Sequence, residues 1–180
     1  MKKILIHSGI FALIIVLANY LVQFRIDLKY MQIPLGVFVY PFTFLFTDIL
    51  SEKYDKKYVL KIIKYGILLA IIPTALLSTP RIAVASVVTF FIVQFADVYI
   101  FHYLKDKYFN LWWLRNNAST LISQFLDTTI FFIAAFAFVL PWDVIIQIMI
   151  GNYTVKALMA LADTPLFYWF AIRKLNKIKG

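Results

Sequence analysis

"IAVASVVTFFIVQFADVYIFHYL", residues 82 to 104, runs for 23 residues with one carboxylate, Asp97, and no Lys or Arg. At about 1.5 Å per residue, a helix of this length crosses the ~30 Å hydrocarbon core of a bilayer. The rest of the chain has the same character: 63% of residues are hydrophobic, 18% are aromatic and the mean hydropathy is +0.83. A soluble domain is roughly 45–50% apolar, so an integral membrane protein is expected. The reading is an all-α, polytopic membrane protein, a single domain over residues 1–180. About six spans are expected, at 4–24, 31–50, 60–79, 82–104, 118–140 and 144–172.

The opening "MKKILIHSGIFALIIVLANYLVQF" starts like a secretory signal, but its apolar run is too long and no A-x-A site follows. It is expected to stay as the first helix. Lys and Arg mark cytoplasmic ends. With the N-terminus inside, that side collects fourteen basic residues, among them Lys53, Lys56, Lys57, Lys105, Lys107, Arg115, Lys174, Lys177 and Lys179. Only Arg25, Lys29 and Arg81 fall outside, so both termini are expected in the cytoplasm. The basic run "KYDKKYVLK" is ordinary for such a loop, and no direct nucleic-acid contact is expected.

The chain has no cysteine, which excludes disulfides and Cys-ligated metals. There is no GxxxxGK[ST] loop, no HExxH and no GxSxG elbow, so neither an enzyme nor a self-powered ATPase is indicated. No cofactor and no metal are expected. His7 and His102 read as packing residues near helix ends, Arg81 and Arg115 as interfacial anchors, and Trp112 and Trp113 as an aromatic belt.

The informative residues are those the bilayer resists. Asp97, Asp127, Asp163 and Lys156 lie inside spans, with Asp48 near the inner end of the second. An ionised group at a helix centre costs about 2.5–3.5 kcal/mol on insertion scales, so these five must face one another or a cavity. Thr120, Gln124 and Asp127 share one helical stripe, and Asn152, Lys156 and Asp163 another; Ser86 and Asp97 align, with Gln94 a turn away. Counted from the basic residues, the three aspartates sit roughly 12–18 Å from the cytoplasmic boundary. Pro165 removes the amide that would bond Leu161, and Pro41 and Pro73 interrupt other spans, as broken transporter helices do. "QFADVYIF" (94–101) and "QFLDTTIF" (124–131) match at five of eight places and are open to reading as an inverted repeat or as chance.

"NYLVQF" (19–24), "GVFVYPFTFLFTDILSEKY" (36–54), "PRIAVASVVTFFIVQFADVYIFHYLK" (80–105), "WWLRNNASTLISQFLDTTIFF" (112–132) and "NYTVKALMALADTPLFY" (152–168) together resemble the queuosine-precursor transporters. These are vitamin-uptake-transporter-like proteins of the bacterial inner membrane. The resemblance implies import of a deazapurine base, chiefly cyano-deazaguanine, by a six-helix protein similar to the substrate-binding components of energy-coupling-factor transporters. It implies a role for Asn19, Thr47, Asp48, Glu52, Arg81, Gln94, Asp97, Ser119, Thr120, Gln124, Asp127, Lys156 and Asp163. Two departures stand out: Asp55 where a glycine is expected, and a very short link between the third and fourth spans.

A guanine-like edge offers a ring N–H and an amine side by side, and a carboxylate accepts both in parallel. Asp97 or Asp127 can do this. Gln94 and Gln124 suit the base's carbonyl and ring nitrogens, Phe95, Phe125, Phe131 or Tyr153 can stack on its face, and Lys156 can neutralise a neighbouring aspartate. Substrate contacts are therefore expected at Gln94, Asp97, Gln124, Asp127, Lys156, Asp163 and Asn19, with gating or coupling at Asp48, Glu52 and Arg81. The competing reading is a structural polar network gluing the helices together. Two other functions compete: a vitamin-binding component that needs separate ATPase and coupling subunits, and an intramembrane enzyme built on an aspartate pair. Besides lipid, a second copy of the chain is a further partner the sequence admits.

Overall fold

The computed structural model describes residues 2–21, 23–28, 31–77 and 79–173. Lys29, Lys174, Lys177 and Lys179, counted above for orientation, lie outside them. The described chain is helical apart from one short hairpin: α1 (Lys2–Leu21), β1 (Arg25–Leu28), β2 (Met31–Pro34), α2 (Gly36–Val39), α3 (Pro41–Lys53), α4 (Lys56–Leu77), α5 (Pro80–Lys107), α6 (Trp112–Phe136), α7 (Trp142–Ala162), α8 (Thr164–Phe167) and a π-helical turn, Tyr168–Ile172.

Five helical segments are long and apolar enough to cross a membrane: α1, α4, α5, α6, and the run from Trp142 to Ile172. The second expected span is different. Residues 31–34 belong to the antiparallel hairpin, paired Arg25 with Pro34 and Leu28 with Met31, and the helix starts only at Gly36. Its hydrogen-bond ladder is interrupted at Tyr40, because Pro41 has no amide to donate, but Tyr40 keeps helical dihedrals and α3 follows with Pro41 at its first position. Pro73, by contrast, sits inside α4 without ending it. Pro165 follows a real break: α7 stops at Asp163, but the Asp163 amide reaches the carbonyls of both Met159 and Leu161, so the Leu161 carbonyl is not left free.

α1, α4, α5, α6 and α7 pack in a row, each on the next, and α3 touches every one of them. α2 bridges the two ends of the row by touching α1 and α7. The short, polar α3 is therefore the axis of the molecule, with nine of its 13 residues buried. The outer faces carry the apolar side chains, such as Leu76 at 81% and Ile72 at 72% exposed. Twenty polar or charged residues are buried beside twenty-six apolar ones among the described residues. A chain that hides polar groups and displays leucine and isoleucine is built for lipid, and this is a multi-pass membrane protein.

The tightest seam lies between α1 and α4. A Cβ on Gly66 would stand 2.5 Å from Phe11 Cδ1 and 3.1 Å from the Ser8 carbonyl. The missing side chain lets the two backbones close, as small residues do between membrane helices, and Ser8 Oγ donates to the Ile62 carbonyl at 3.1 Å. His7 and His102 are packing residues as expected: His7 Nδ1 meets Tyr58 Oη at 3.1 Å, and His102 Nδ1 meets the Val98 carbonyl at 2.9 Å. Asp55 has a local use, since its Oδ2 accepts the Tyr58 amide at 3.3 Å and caps the start of α4.

Candidate functional site

The buried polar residues lie in three layers along α3. At the first, Tyr40, at the junction of α2 and α3, faces α6 and α7. Tyr40 Oη donates to Asp127 Oδ1 at 2.6 Å, Lys156 Nζ pairs with Asp127 Oδ2 at 2.8 Å, and the Lys156 ammonium lies 4.5 Å from the centre of the Tyr40 ring. Lys156 thus neutralises an aspartate, as its stripe on α7 predicts, and a cation over an aromatic face adds a second attraction.

The middle layer is built by the turns of α3 facing α5 and α6. Gln94 Nε2 donates to Thr43 Oγ1 at 3.2 Å, and Gln94 Oε1 accepts from Thr47 Oγ1 at 3.3 Å, which fixes the amide's orientation. Asp48 Oδ2 accepts from Thr120 at 2.9 Å and lies 3.5 Å from Ser119 Oγ. Asp97 is fully buried against Asp48, Ser123 and Thr47, yet neither of its oxygens has a donor in good geometry among the described residues. The same holds for both polar atoms of Gln124, for Ser123 Oγ, Asp48 Oδ1, Asn116 Oδ1, Thr128 Oγ1 and Asp163 Oδ2. A few such orphans occur in any protein. Here they concentrate on one face of α6 and what that face meets.

The third layer closes the far end of α3. Glu52 and Arg115 make a two-pronged pair, Nε to Oε2 and Nη2 to Oε1, both 2.9 Å, with side chains only 5% and 3% exposed. Arg115 Nη1 also donates to the Phe109 carbonyl at 2.6 Å. Lys105 Nζ donates to the carbonyls of Ser51 and Glu52 at 2.8 and 2.7 Å, satisfying the exposed end of α3's hydrogen-bond ladder.

Several expectations need correction. Asp97 and Asp127 do not meet: α5 and α6 run antiparallel, so Asp97 sits beside Ser123, one turn from Asp127. Asn19 is away from the core, its amide donating to Thr74 Oγ1 at 2.9 Å between α1 and α4. Arg81 is exposed over the Phe136 ring, as an anchor is, whereas Arg115 is a buried partner of Glu52 and no anchor. Asp48 stands in the middle layer rather than at an end. Of the rings proposed for stacking, Phe125 and Tyr153 pair edge to face at 5.6 Å beside an apolar groove of about 110 Å³ between α6 and α7. Phe95 stacks on Phe91 at 4.5 Å, and Phe131 packs on Phe132. Trp112 turns inward against Phe167 and Tyr168, leaving Trp113 half exposed. Tyr40, which touches both Asp127 and Lys156, was not singled out, although "YP" before a polar helix marks an interruption of the hydrogen-bond ladder at that point. A second groove, of about 260 Å³ between α4 and α5, is lined by Lys64 and apolar side chains and does not reach the polar core.

A family model described as "Putative vitamin uptake transporter" matches residues 34–78 and 73–170. A Bacillus subtilis (strain 168) protein named "Probable queuosine precursor transporter" is 33% identical over 185 positions, covering 89% of this chain and 80% of that protein. An Escherichia coli (strain K12) protein named "Queuosine precursor transporter" is 27% identical over 191 positions, covering 92% and 84% respectively. No solved structure matches the chain.

Proposed function

Because the chain belongs to the vitamin uptake transporter family, we propose that it imports a queuosine precursor, a deazapurine base such as cyano-deazaguanine, across the bacterial inner membrane. The names of both relatives support the substrate. What supports the reading within this molecule is the middle layer, where Gln124 and Asp97 are fully buried with no partner in good geometry among the described residues. A planar base with adjacent donors and acceptors satisfies such atoms; apolar cargo does not.

In this reading Asp97 accepts the paired N–H groups of the base, and Gln124 supplies a donor and an acceptor to its other edge. Gln94, already oriented by Thr43 and Thr47, belongs to the same layer. Asp163 adds an acceptor where α7 breaks. Asp127 and Lys156, with Tyr40, form the wall at one end, and Glu52 with Arg115 closes the other. Both termini are cytoplasmic, with α2 and α3 together making a sixth crossing beside the five long segments, which puts the Glu52 layer on the cytoplasmic side with Lys53, Lys56, Lys57 and Lys105.

The test is expression in a bacterium unable to make or import the precursor, followed by measurement of queuosine in its tRNA. The parent chain restores it when cyano-deazaguanine is supplied. Asp97→Asn and Gln124→Leu, correctly inserted, weaken binding of the purified protein by several-fold to a hundredfold, the equivalent of about 1–3 kcal/mol for a lost or mispaired buried contact. Normal binding in both variants would refute the site.

A further inference from the structure

The middle layer holds more carboxyls than any neutral substrate requires. Asp48 comes from α3, Asp97 from α5, and Asp163 from the end of α7; Asp48 lies within electrostatic reach of both the others. Among the described residues there are two ion pairs, Glu52 with Arg115 and Asp127 with Lys156, and neither includes these three. Lys105 is spent on the carbonyls of Ser51 and Glu52. The hydroxyls that reach Asp48, from Thr120 and Ser119, carry no charge.

Asp48 and Asp97 are both fully buried at the seam of α3 and α5, where Thr47, next to Asp48, donates to Gln94, one turn from Asp97, at 3.3 Å, and the two carboxyls interact there. Asp48 Oδ1 and both Asp97 oxygens have no donor in good geometry among the described residues, and the Ser123 and Thr47 hydroxyls beside Asp97 carry no charge. Two ionised carboxyls side by side in a buried core repel unless something positive lies between them. A hydrogen on one carboxyl supplies that, and like-charged carboxyls in one site commonly share a single proton.

We propose that Asp48 and Asp97 form a proton site, and that the proton they share couples uptake of the substrate to a proton gradient. The proposal rests on the transport reading above and adds its energy source. With the proton on Asp48, Asp97 stays ionised and can accept the N–H groups of a base. Without it, two carboxylates face each other and the closed arrangement of α3, α5 and α6 is lost. Proton and substrate therefore favour the same arrangement, each tightens the other's binding, and the two cross together. The other charged or titratable groups around the pair are occupied or set apart. Glu52 and Arg115 hold each other on one side, and Tyr40, Asp127 and Lys156 on the other. His102 lies on α5 with Nδ1 on the Val98 carbonyl, and Asp163 is in no ion pair among the described residues, its Oδ2 lacking a donor there.

The experiment uses the full chain in sealed vesicles, with labelled cyano-deazaguanine outside and the membrane potential clamped by potassium and valinomycin. A pH difference of one unit, acid outside, is expected to drive accumulation to about tenfold for one proton per substrate, and a protonophore to abolish it. Calorimetry in buffers of different ionisation heat, carried out across pH, is expected to show proton uptake on binding at the alkaline end, where the empty pair has lost its proton, and this needs no variant. Asp48→Asn is expected to keep exchange of labelled for unlabelled substrate while losing all response to the pH difference. Binding with no proton uptake at any pH, accumulation driven by sodium instead, or no accumulation under either gradient by a chain that still binds would each overturn the coupling while leaving the transport reading intact. An Asp48→Asn protein that still follows the pH difference would overturn the assignment to this pair. Failure of the parent chain to bind the base would refute the transport reading itself.

Discussion

Removing Lys156 alone and removing Asp127 and Lys156 together should have opposite consequences. The pair is 2.8 Å apart with side chains 8% and 4% exposed, so each charge has been taken out of water and depends on the other. Lys156→Met keeps most of the side-chain volume but leaves Asp127 with only the Tyr40 hydroxyl at 2.6 Å. Breaking a buried pair from one side costs about 3–5 kcal/mol, whereas replacing both members with apolar residues of similar volume is often neutral or stabilising by about 1–4 kcal/mol. Hydrogen bonds between neutral groups in membranes average only about 0.6 kcal/mol, because the unfolded chain in the bilayer finds other partners. A lone carboxylate in hydrocarbon finds none, so the larger figure governs. Reversible unfolding in mixed micelles of mild detergent and dodecyl sulfate measures it. Lys156→Met should lower the folding constant by a factor of at least 100, and the double variant Asp127→Leu with Lys156→Met should recover most of that loss. A coupling energy below about 0.5 kcal/mol would show that the two residues do not neutralise each other in the folded protein.

Two further predictions concern the frame. Gly66→Val should destabilise the α1–α4 seam by about 1–3 kcal/mol, read as a lowered unfolding midpoint, because its Cβ would stand 2.5 Å from Phe11 Cδ1; an additional Phe11→Ala should give back part of the loss. Arg115→Lys keeps the charge but loses the two-pronged contact with Glu52 and the Phe109 carbonyl, so it should leave the protein inserted but less stable by about 1–3 kcal/mol. An unchanged unfolding midpoint would count against Arg115 as the closing residue of that end.

The membrane character and the inward-facing polar groups were legible because hydrocarbon imposes them residue by residue. Asp97, Gln124, Asp127, Lys156 and Asp163 could be picked out by their cost alone, and helical spacing put them on faces that are indeed buried. Partner choice was not legible. Spacing along one helix says nothing of the offset between antiparallel neighbours, so the matching Gln and Asp of 94–101 and 124–131 left their partners open: Asp97 meets Asp48, and Asp127 meets Tyr40 and Lys156. The second span also misled. An apolar run that starts at Met31 looks continuous by composition, but the hairpin takes its first four residues and Pro41 interrupts the hydrogen-bond ladder of the rest. Tyr40 escaped because an aromatic residue in a greasy stretch carries no signal until the carboxylate it serves is known.

The central position of α3 has a consequence for how the protein is made. Its 13 residues are too few to span a bilayer, and they include Asp48, Glu52 and Lys53. Each such group disfavours insertion by up to about 2.5–3.5 kcal/mol at a helix centre, so α3 is a poor candidate to enter lipid unaided. The groups that accept it arrive late: Thr120 follows Asp48 by 72 residues, and Asp127 follows Tyr40 by 87. At about 5–20 residues per second, α3 waits roughly 4–14 s for Thr120. Of the long helices that α3 packs on, α1 alone precedes it in the chain, so its burial is completed by helices made after it. The residues that hold the polar core together thus reach α3 from segments synthesised later.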